Sequence, residues 1–229
     1  STLSYSTSNW NTVQTVTLYG VDDTLSDDNQ AFSVTLGSVT SSDANYPGKN
    51  PDDVRVTNVD NETASITVSA LSGSTTEMGG TATFTVVLGS QPTSDVSIAV
   101  SSSDTNEATI SPSSLTFGSS NYSTLQTVTV TGVDDFYEDD NVSYTITVDP
   151  SSSIASYNTM TSSTVTGSNI ENETAAITVA AKSGNTSEFG TTATINVTLA
   201  TIPSANVSIV VTDNDSSEVS ITPTTLTIT

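Results

Sequence analysis

Apolar and polar residues alternate along this chain with a period of two. In residues 81–88, Ala82, Phe84, Val86 and Leu88 take every second place, and threonines fill most of the others. Val96, Ile98 and Val100 alternate in the same way. So do Val128 and Val130 among Thr127, Thr129 and Thr131, and Tyr144, Ile146 and Val148. Successive side chains of a strand point to opposite faces, so each run predicts a strand with one buried face. Threonine suits the outer face, because its β-branch favours extended backbone and its hydroxyl tolerates water. Shorter runs at 64–68, 109–110, 115–117 and 161–166 complete the set, with Gly, Pro, Asn and Ser between them. Seven or eight short strands so spaced predict an antiparallel sandwich. No helical period appears anywhere, and the fold class expected is all-β.

The pattern repeats. Residues 58–68 (Asn-Val-Asp-Asn-Glu-Thr-Ala-Ser-Ile-Thr-Val) match residues 169–179 (Asn-Ile-Glu-Asn-Glu-Thr-Ala-Ala-Ile-Thr-Val) at an offset of 111. That offset also carries Glu77 to Glu188, Pro112 to Pro223 and Leu115 to Leu226. Near the start, Trp10 matches Tyr122 and Asp22 matches Asp134 at 112, with one residue lost before Tyr46, which matches Tyr157 at 111. A unit of 111 residues is the size of an immunoglobulin-like sandwich. Residues 1–60 then read as the second half of a repeat, 61–171 as a complete repeat, and 172–229 as the first half of a third. Two arrangements would complete the halves. They are further repeats of a longer chain, or residues 172–229 of one chain closed by residues 1–60 of the next, in a head-to-tail fibre.

Charge sharpens the picture. Lys and Arg total 3 against 25 Asp and Glu, a net charge of −22. Such a surface predicts no nucleic-acid partner and no affinity for anionic membranes. No apolar run is long enough to cross a bilayer, so membrane insertion is not expected. The absence of Cys and His removes disulfides, thiolate metal sites and the commonest general base. With only carboxylates left to act, and these recurring in each repeat, an enzyme is not expected.

The acids are not scattered. The strand Gln126-Thr-Val-Thr-Val-Thr-Gly132 runs into Val-Asp-Asp-Phe-Tyr-Glu-Asp-Asp140, with five carboxylates in seven positions. Residues 14–28 repeat the arrangement as Gln-Thr-Val-Thr-Leu-Tyr-Gly-Val-Asp-Asp-Thr-Leu-Ser-Asp-Asp. Carboxylates this dense repel one another unless a cation sits among them. Hard oxygen ligands without imidazole or thiolate favour Ca²⁺.

This order resembles the Calx-β domain and its relatives in secreted bacterial adhesins and surface proteins. The elements are Glu77, then Gly80-Thr-Ala-Thr-Phe-Thr-Val-Val-Leu88, then Leu115-Thr-Phe117, the acidic loop and an acidic-amide exit linker. The resemblance implies tandem Ig-like sandwiches in a linear array, with calcium at one end of each. It implies ligands at Glu77, Asp104, Asp134, Asp135, Glu138, Glu171 and Asn172 of the complete repeat. In the first half-repeat they would be Asp22, Asp23, Asp60 and Asn61, with Ser26 in the place of Glu138 and Asp27 or Asp28 as its substitute. In the third they would be Glu188 and Asp213 or Asp215. Asp104 and Asp139 are equally well explained as turn residues, since Asp side chains cap loops through Asx-turns.

Two functions remain in view. One is a structural repeat of an extracellular or cell-surface filament or stalk, its partners being copies of itself or further repeats, stiffened by Ca²⁺ at each junction. The other is an adhesin module, of the kind found in biofilms, that binds a glycan or cell surface. Trp10, Tyr46 and Tyr122 could stack on sugar, but such aromatics more often cover a sandwich edge or seam. The segment Tyr46-Pro-Gly-Lys-Asn-Pro-Asp-Asp53 is the one insertion-like departure from the repeat.

Overall fold

The computed structural model describes residues 2–229. Among them the chain forms β1 (Gln30–Val34), β2 (Val54–Asn58), β3 (Ile66–Val68), β4 (Thr75–Thr76), β5 (Thr81–Leu88), β6 (Val96–Ser102), β7 (Ala108–Ser111) and β8 (Ser114–Phe117). Then follow β9 (Gln126–Gly132), β10 (Val142–Ser152), one helical turn α1 (Ala155–Asn158), β11 (Ser163–Ile170), β12 (Ile177–Val179), β13 (Val197–Leu199), β14 (Val207–Val210) and β15 (Thr225–Ile228). The protein is all-β apart from α1.

The middle of the chain is an Ig-like sandwich. One sheet has the order β3-β5-β9-β7 and the other β4-β11-β10-β6-β8. In the first, Phe84 lies opposite Val128 and Ala82 opposite Val130. In the second, Val148 lies opposite Val100 and Ile146 opposite Val165. The alternating residues of both sheets point between them into one core: Phe84, Val86, Leu88, Val128 and Val130 from one side, and Ile98, Phe117, Tyr144, Ile146 and Val148 from the other. Each such side chain contributes roughly 1.5–3 kcal/mol by leaving water.

Three features depart from the periodicity. Strand β4 is two residues long, too short for a sequence pattern, and pairs parallel to β11. Strand β10 runs past its alternating core to Ser152. Against the expectation of no helix, α1 makes a single turn that seats Tyr157 in the core, where its hydroxyl donates to the Ser90 carbonyl at 3.0 Å. A lone turn supplies no repeating signal for a sequence to reveal.

The flanking segments form pairs in the middle repeat's own register. β12–β13 sets Ile177 opposite Leu199, as β3–β5 sets Ile66 opposite Leu88. β14–β15 sets Val207 opposite Ile228, as β6–β8 sets Val96 opposite Phe117. β1–β2 sets Gln30 opposite Asn58, as β10–β11 sets Val142 opposite Asn169.

Candidate metal centre at the repeat seam

Strand β9 delivers the acidic loop through a tight passage. The Gly132 N–H donates to the Gly80 carbonyl at 3.0 Å. A Cβ at Gly132 would lie 2.2 Å from the Thr76 carbonyl oxygen and 2.3 Å from Asn169 Oδ1, so only glycine fits. Asn169 is fully buried and donates to the Val133 carbonyl at 2.9 Å and to Glu107 Oε2 at 3.3 Å. One amide thus ties the exit of β9 to the start of β7. The first copy repeats the clamp: Asn58 donates to the Val21 carbonyl at 3.1 Å, and Gly20 lies against Asn58 Oδ1.

Beyond the clamp the loop closes on itself. Asp135 Oδ1 accepts the Tyr137 N–H at 2.7 Å, an Asx-turn. Asp140 has φ 65° and Asp28, its counterpart, φ 63°, a left-handed conformation that aspartate tolerates better than most residues. The exit linker folds against the loop. Glu171 Oε2 accepts the Asp139 N–H at 2.9 Å, Glu171 Oε1 accepts the Glu173 N–H at 2.6 Å, and the Glu171 N–H donates to Asn141 Oδ1 at 3.0 Å. In the first copy Asp60 accepts from Asp27, Asp28 and Glu62, and its own N–H donates to Asn29 Oδ1.

These folds bring carboxylates together in two groups. Glu77, Asp139 and Glu171 form one, and Glu107, Asp135 and Asp139 the other. Within each group, one oxygen per residue lies within 4.8 Å of the others. Glu77 and Glu107 are buried, at 2% and 5% exposure. No Lys or Arg stands between residues 61 and 171 to neutralise them. Glu77 Oε2 accepts the Asn172 N–H at 3.1 Å, which pins the exit linker over it.

Proton affinities follow the crowding. Burial raises the Glu77 carboxyl to about 8, helped by Glu173 and Glu171 beside it. Burial also raises Glu107, with the charges of Asp139, Asp104 and Asp135 adding to it. Asp139 is raised by lost solvation and by Asp135 and Glu171. Glu171 goes the other way, to about 2, because the Asp139 and Glu173 N–H groups stabilise its charge. Glu173 is raised, and its Oε2 is buried without a hydrogen-bond partner. A cation would relieve all four raised groups at once.

Of the residues picked from sequence, Glu77, Asp135 and Glu171 enter these groups. Asp134 lies near enough for its charge to act on Glu173. Asp104 Oδ1 caps its own loop, accepting the Asn106 N–H at 2.9 Å, and adds to the negative field on Glu107. Asn172 joins through its main chain, while its side-chain amide donates to Glu173 Oε1 at 3.0 Å. Glu138 instead reaches into the next copy and accepts the Ala175 N–H at 2.5 Å. In the first copy Asp22 and Asp23 both act on Glu62, beside Asp60, and Asp23 also accepts the Leu25 N–H at 2.8 Å. Asn61 is exposed. In the third copy Glu188 and Asp213 are exposed, and Asp215 accepts the Ser217 N–H at 3.1 Å, repeating the Asp104 cap.

Glu107, Asp139 and Glu173 are the residues that the sequence reading left out of the ligand set. The repeat held the signal for all three. Glu107 recurs as Glu218, Asp139 as Asp27 and Glu173 as Glu62, whereas Glu138, which faces elsewhere, is replaced by Ser26.

The loop has a second face. Tyr137 forms a parallel bridge with Ile202, and the Ile202 N–H donates to the Phe136 carbonyl at 2.8 Å. One repeat earlier, Leu25 forms a parallel bridge with Gln91, and the Gln91 N–H donates to the Thr24 carbonyl at 2.8 Å. Gln91 and Ile202 stand 111 residues apart, so one joint occurs twice.

No protein-family model matches this chain, and no curated protein sequence is similar to it. Among solved structures, domains 4 and 5 of the S-layer protein SbsC align with a TM-score of 0.35 at 23% identity, over 63% of this chain and 77% of that one. SSP-19, an MSP-domain protein like family member in Caenorhabditis elegans, aligns at 0.33 and 16%, over 43% of this chain and 94% of that one. The PapD-like domain 7 of human CEP192 aligns at 0.30 and 15%, over 47% and 87%. These scores are too low to carry a functional argument.

Proposed function

We propose that this chain is a structural repeat segment of an extracellular filament or stalk, in which Ca²⁺ at each seam locks one sandwich to the next. One observation carries the reading. The loop that places Asp135 and Asp139 against buried Glu77 and Glu107 is the same loop whose Phe136 carbonyl accepts the Ile202 N–H and whose Tyr137 bridges Ile202 in the following copy. An ion held on its inner face would therefore order its outer face.

The donor set fits calcium. It is carboxylate oxygen throughout, two members are buried without any basic partner, and a buried Glu173 oxygen lacks any partner. Glu77, Asp139 and Glu171 would hold one ion and Glu107, Asp135 and Asp139 a second, with Asp139 bridging. Main-chain carbonyls and water would complete the six to eight oxygens calcium takes. Its role would be charge neutralisation and crosslinking.

Extracellular calcium modules bind at roughly 10⁻⁴–10⁻³ M. A ligand bound only by the folded state at a hundredfold excess stabilises it by about 2.7 kcal/mol. Thermal unfolding in excess calcium and in EDTA should differ by several degrees, with magnesium restoring less than calcium. Coincident melting curves would refute the proposal.

A further inference from the structure

All 3 basic residues of this chain fall on the counterparts of one cleft in the middle sandwich. At the repeat offset of 111, Lys49 takes the place of Met160, Arg55 that of Thr166 and Lys182 that of Leu71. In the structure Leu71, Met160 and Thr166 line an opening along one side of the sandwich, between β3 at the end of one sheet and β11 in the other. The opening encloses about 670 Å³ beside Ile66, Val68 and Val165, and it continues past Met160. No residue that lines it is charged, in a chain with 25 acids.

Both strands at this opening have a free edge. β3 is the outer strand of its sheet. The Ser65 carbonyl accepts the Gly89 N–H, and the Ser69 N–H donates to the Thr85 carbonyl, so the main-chain groups of Ile66 and Val68 point away from β5. On β11 the Ile170 carbonyl accepts the Glu77 N–H from the side of β4. Alternate residues of a strand share that direction, so the main-chain groups of Thr164 and Thr166 point the same way. β4 pairs with β11 only at Asn169 and Ile170, which leaves Thr164 and Thr166 without a strand partner on that side. The other end of this sheet is capped by side chains: the Thr116 carbonyl on β8 accepts from Asn121 Nδ2 at 3.1 Å and Gln126 Nε2 at 2.8 Å. Proteins ordinarily guard open edges with Lys, other charges or Pro. The flanking copies place Lys49, Arg55 and Lys182 at these positions, and the middle copy places no charge there.

We infer that this opening receives an extended, basic segment of a partner protein, which adds to β11 as a further strand. The main-chain groups of Thr164 and Thr166 pair with it, and its alternate aliphatic side chains enter beside Ile66, Val68, Leu71 and Val165. Charge selects such a partner over a second copy of this chain. Residues 61–171 hold no Lys or Arg. Asp149 stands at the Met160 end of the opening, between the lining residues Val148 and Pro150, and accepts from the Ser162 hydroxyl at 2.6 Å. A segment with Lys or Arg beside its aliphatic stretch complements that surface, whereas another copy brings a net charge of −22 against it. Lys49, Arg55 and Lys182 repel the same segment from the flanking copies, so of the three copies the middle one carries the site. The inference stands whether or not a cation occupies the seam.

The test uses the 229-residue chain and a labelled peptide, Lys-Val-Thr-Val-Thr-Val-Lys, followed by fluorescence anisotropy. The wild type should bind it saturably. Leu71→Lys combined with Thr166→Arg installs what the flanking copies carry, at a half-buried and an exposed position, and should weaken binding at least tenfold. Ser101→Arg, exposed on β6, adds the same sign of charge away from the opening and should bind as the wild type does. The peptide Lys-Ser-Thr-Ser-Thr-Ser-Lys has equal charge and no aliphatic side chains, and the wild type should not bind it. An inert wild type, a double variant or a serine peptide that binds equally well, or a loss with Ser101→Arg as large as with the double variant would overturn the inference. So would a wild type that sediments as a dimer, becomes monomeric in the double variant and ignores the peptide, which would give this edge to a second copy.

Discussion

The middle repeat and its flanks carry almost the same sequence and very different structures. Residues 66–170 bury their alternating apolar positions between two sheets, while the equivalent positions in residues 2–60 and 172–229 lie in isolated two-stranded pairs or outside any strand, more exposed than in the middle. Register and turns survive in the flanks, and burial does not. Local pattern therefore sets pairing, whereas burial needs both halves of the repeat. The acidic centre obeys the same rule. The first copy gathers Asp22, Asp23, Asp60 and Glu62 with its clamp intact. The third copy has the counterpart of buried Glu77, Glu188, exposed.

The comparison breaks most visibly in the core. Phe84→Ala removes a buried ring from between the sheets and should destabilise the middle sandwich by about 3–5 kcal/mol. Ile195→Ala, at the equivalent place, should change the unfolding of the dilute chain by less than about 0.5 kcal/mol. Chemical denaturation of both variants at low concentration measures the difference. Equal losses would mean that the third copy is already packed.

A smaller effect is expected at the passage into the acidic loop. Gly132→Ala drives a methyl group into the Thr76 carbonyl and Asn169, neither of which can retreat, and should cost on the order of 1–3 kcal/mol. Gly20→Ala meets only the Asn58 side chain, which can turn aside, and should cost well under half as much in the same denaturation experiment.

The comparison is sharpened further by the dependence on pH. Glu77 is raised to about 8, so without metal the folded state holds a proton that the unfolded chain releases near the ordinary carboxylate value. Stability should fall as pH rises from about 4.5 towards 8. Glu171, lowered to about 2, acts in the opposite window: its stabilisation is present above about 4.5 and fades as pH falls towards 2. Metal-free melting temperatures should therefore peak near pH 4.5. Glu77→Gln should flatten the fall towards pH 8, and Glu188→Gln, on an exposed counterpart, should leave it.

Much of this was legible in the sequence. Strand positions in the middle repeat and the inward faces of β5, β6, β9 and β10 follow from alternation and repeat length, and the resemblance implied Glu77, Asp135 and Glu171, which fall into the two carboxylate groups. What escaped had physical reasons. Strand β4 and α1 are too short to show a period. Glu107 sits beside Ala108 at the start of a strand and reads as an exposed edge residue until Asn169 is seen to reach it from β11. Glu138 reads as a ligand by its place in the motif, but that loop bends so that Asp135 and Asp139 face inward and Glu138 crosses the seam to Ala175. Pattern along the chain reports which face a residue takes, and it does not report which way a loop turns.

Asp139 is the residue common to both carboxylate groups, so it offers the most direct test of a bridging cation. Isothermal titration of the intact chain with calcium should show binding in the sub-millimolar range, and Asp139→Asn should weaken it at least tenfold. Asp213→Asn, on an exposed acid outside both groups, should bind as the wild type does. Equal calcium binding by the wild type and Asp139→Asn, or no binding by either, would contradict a calcium-bridged seam.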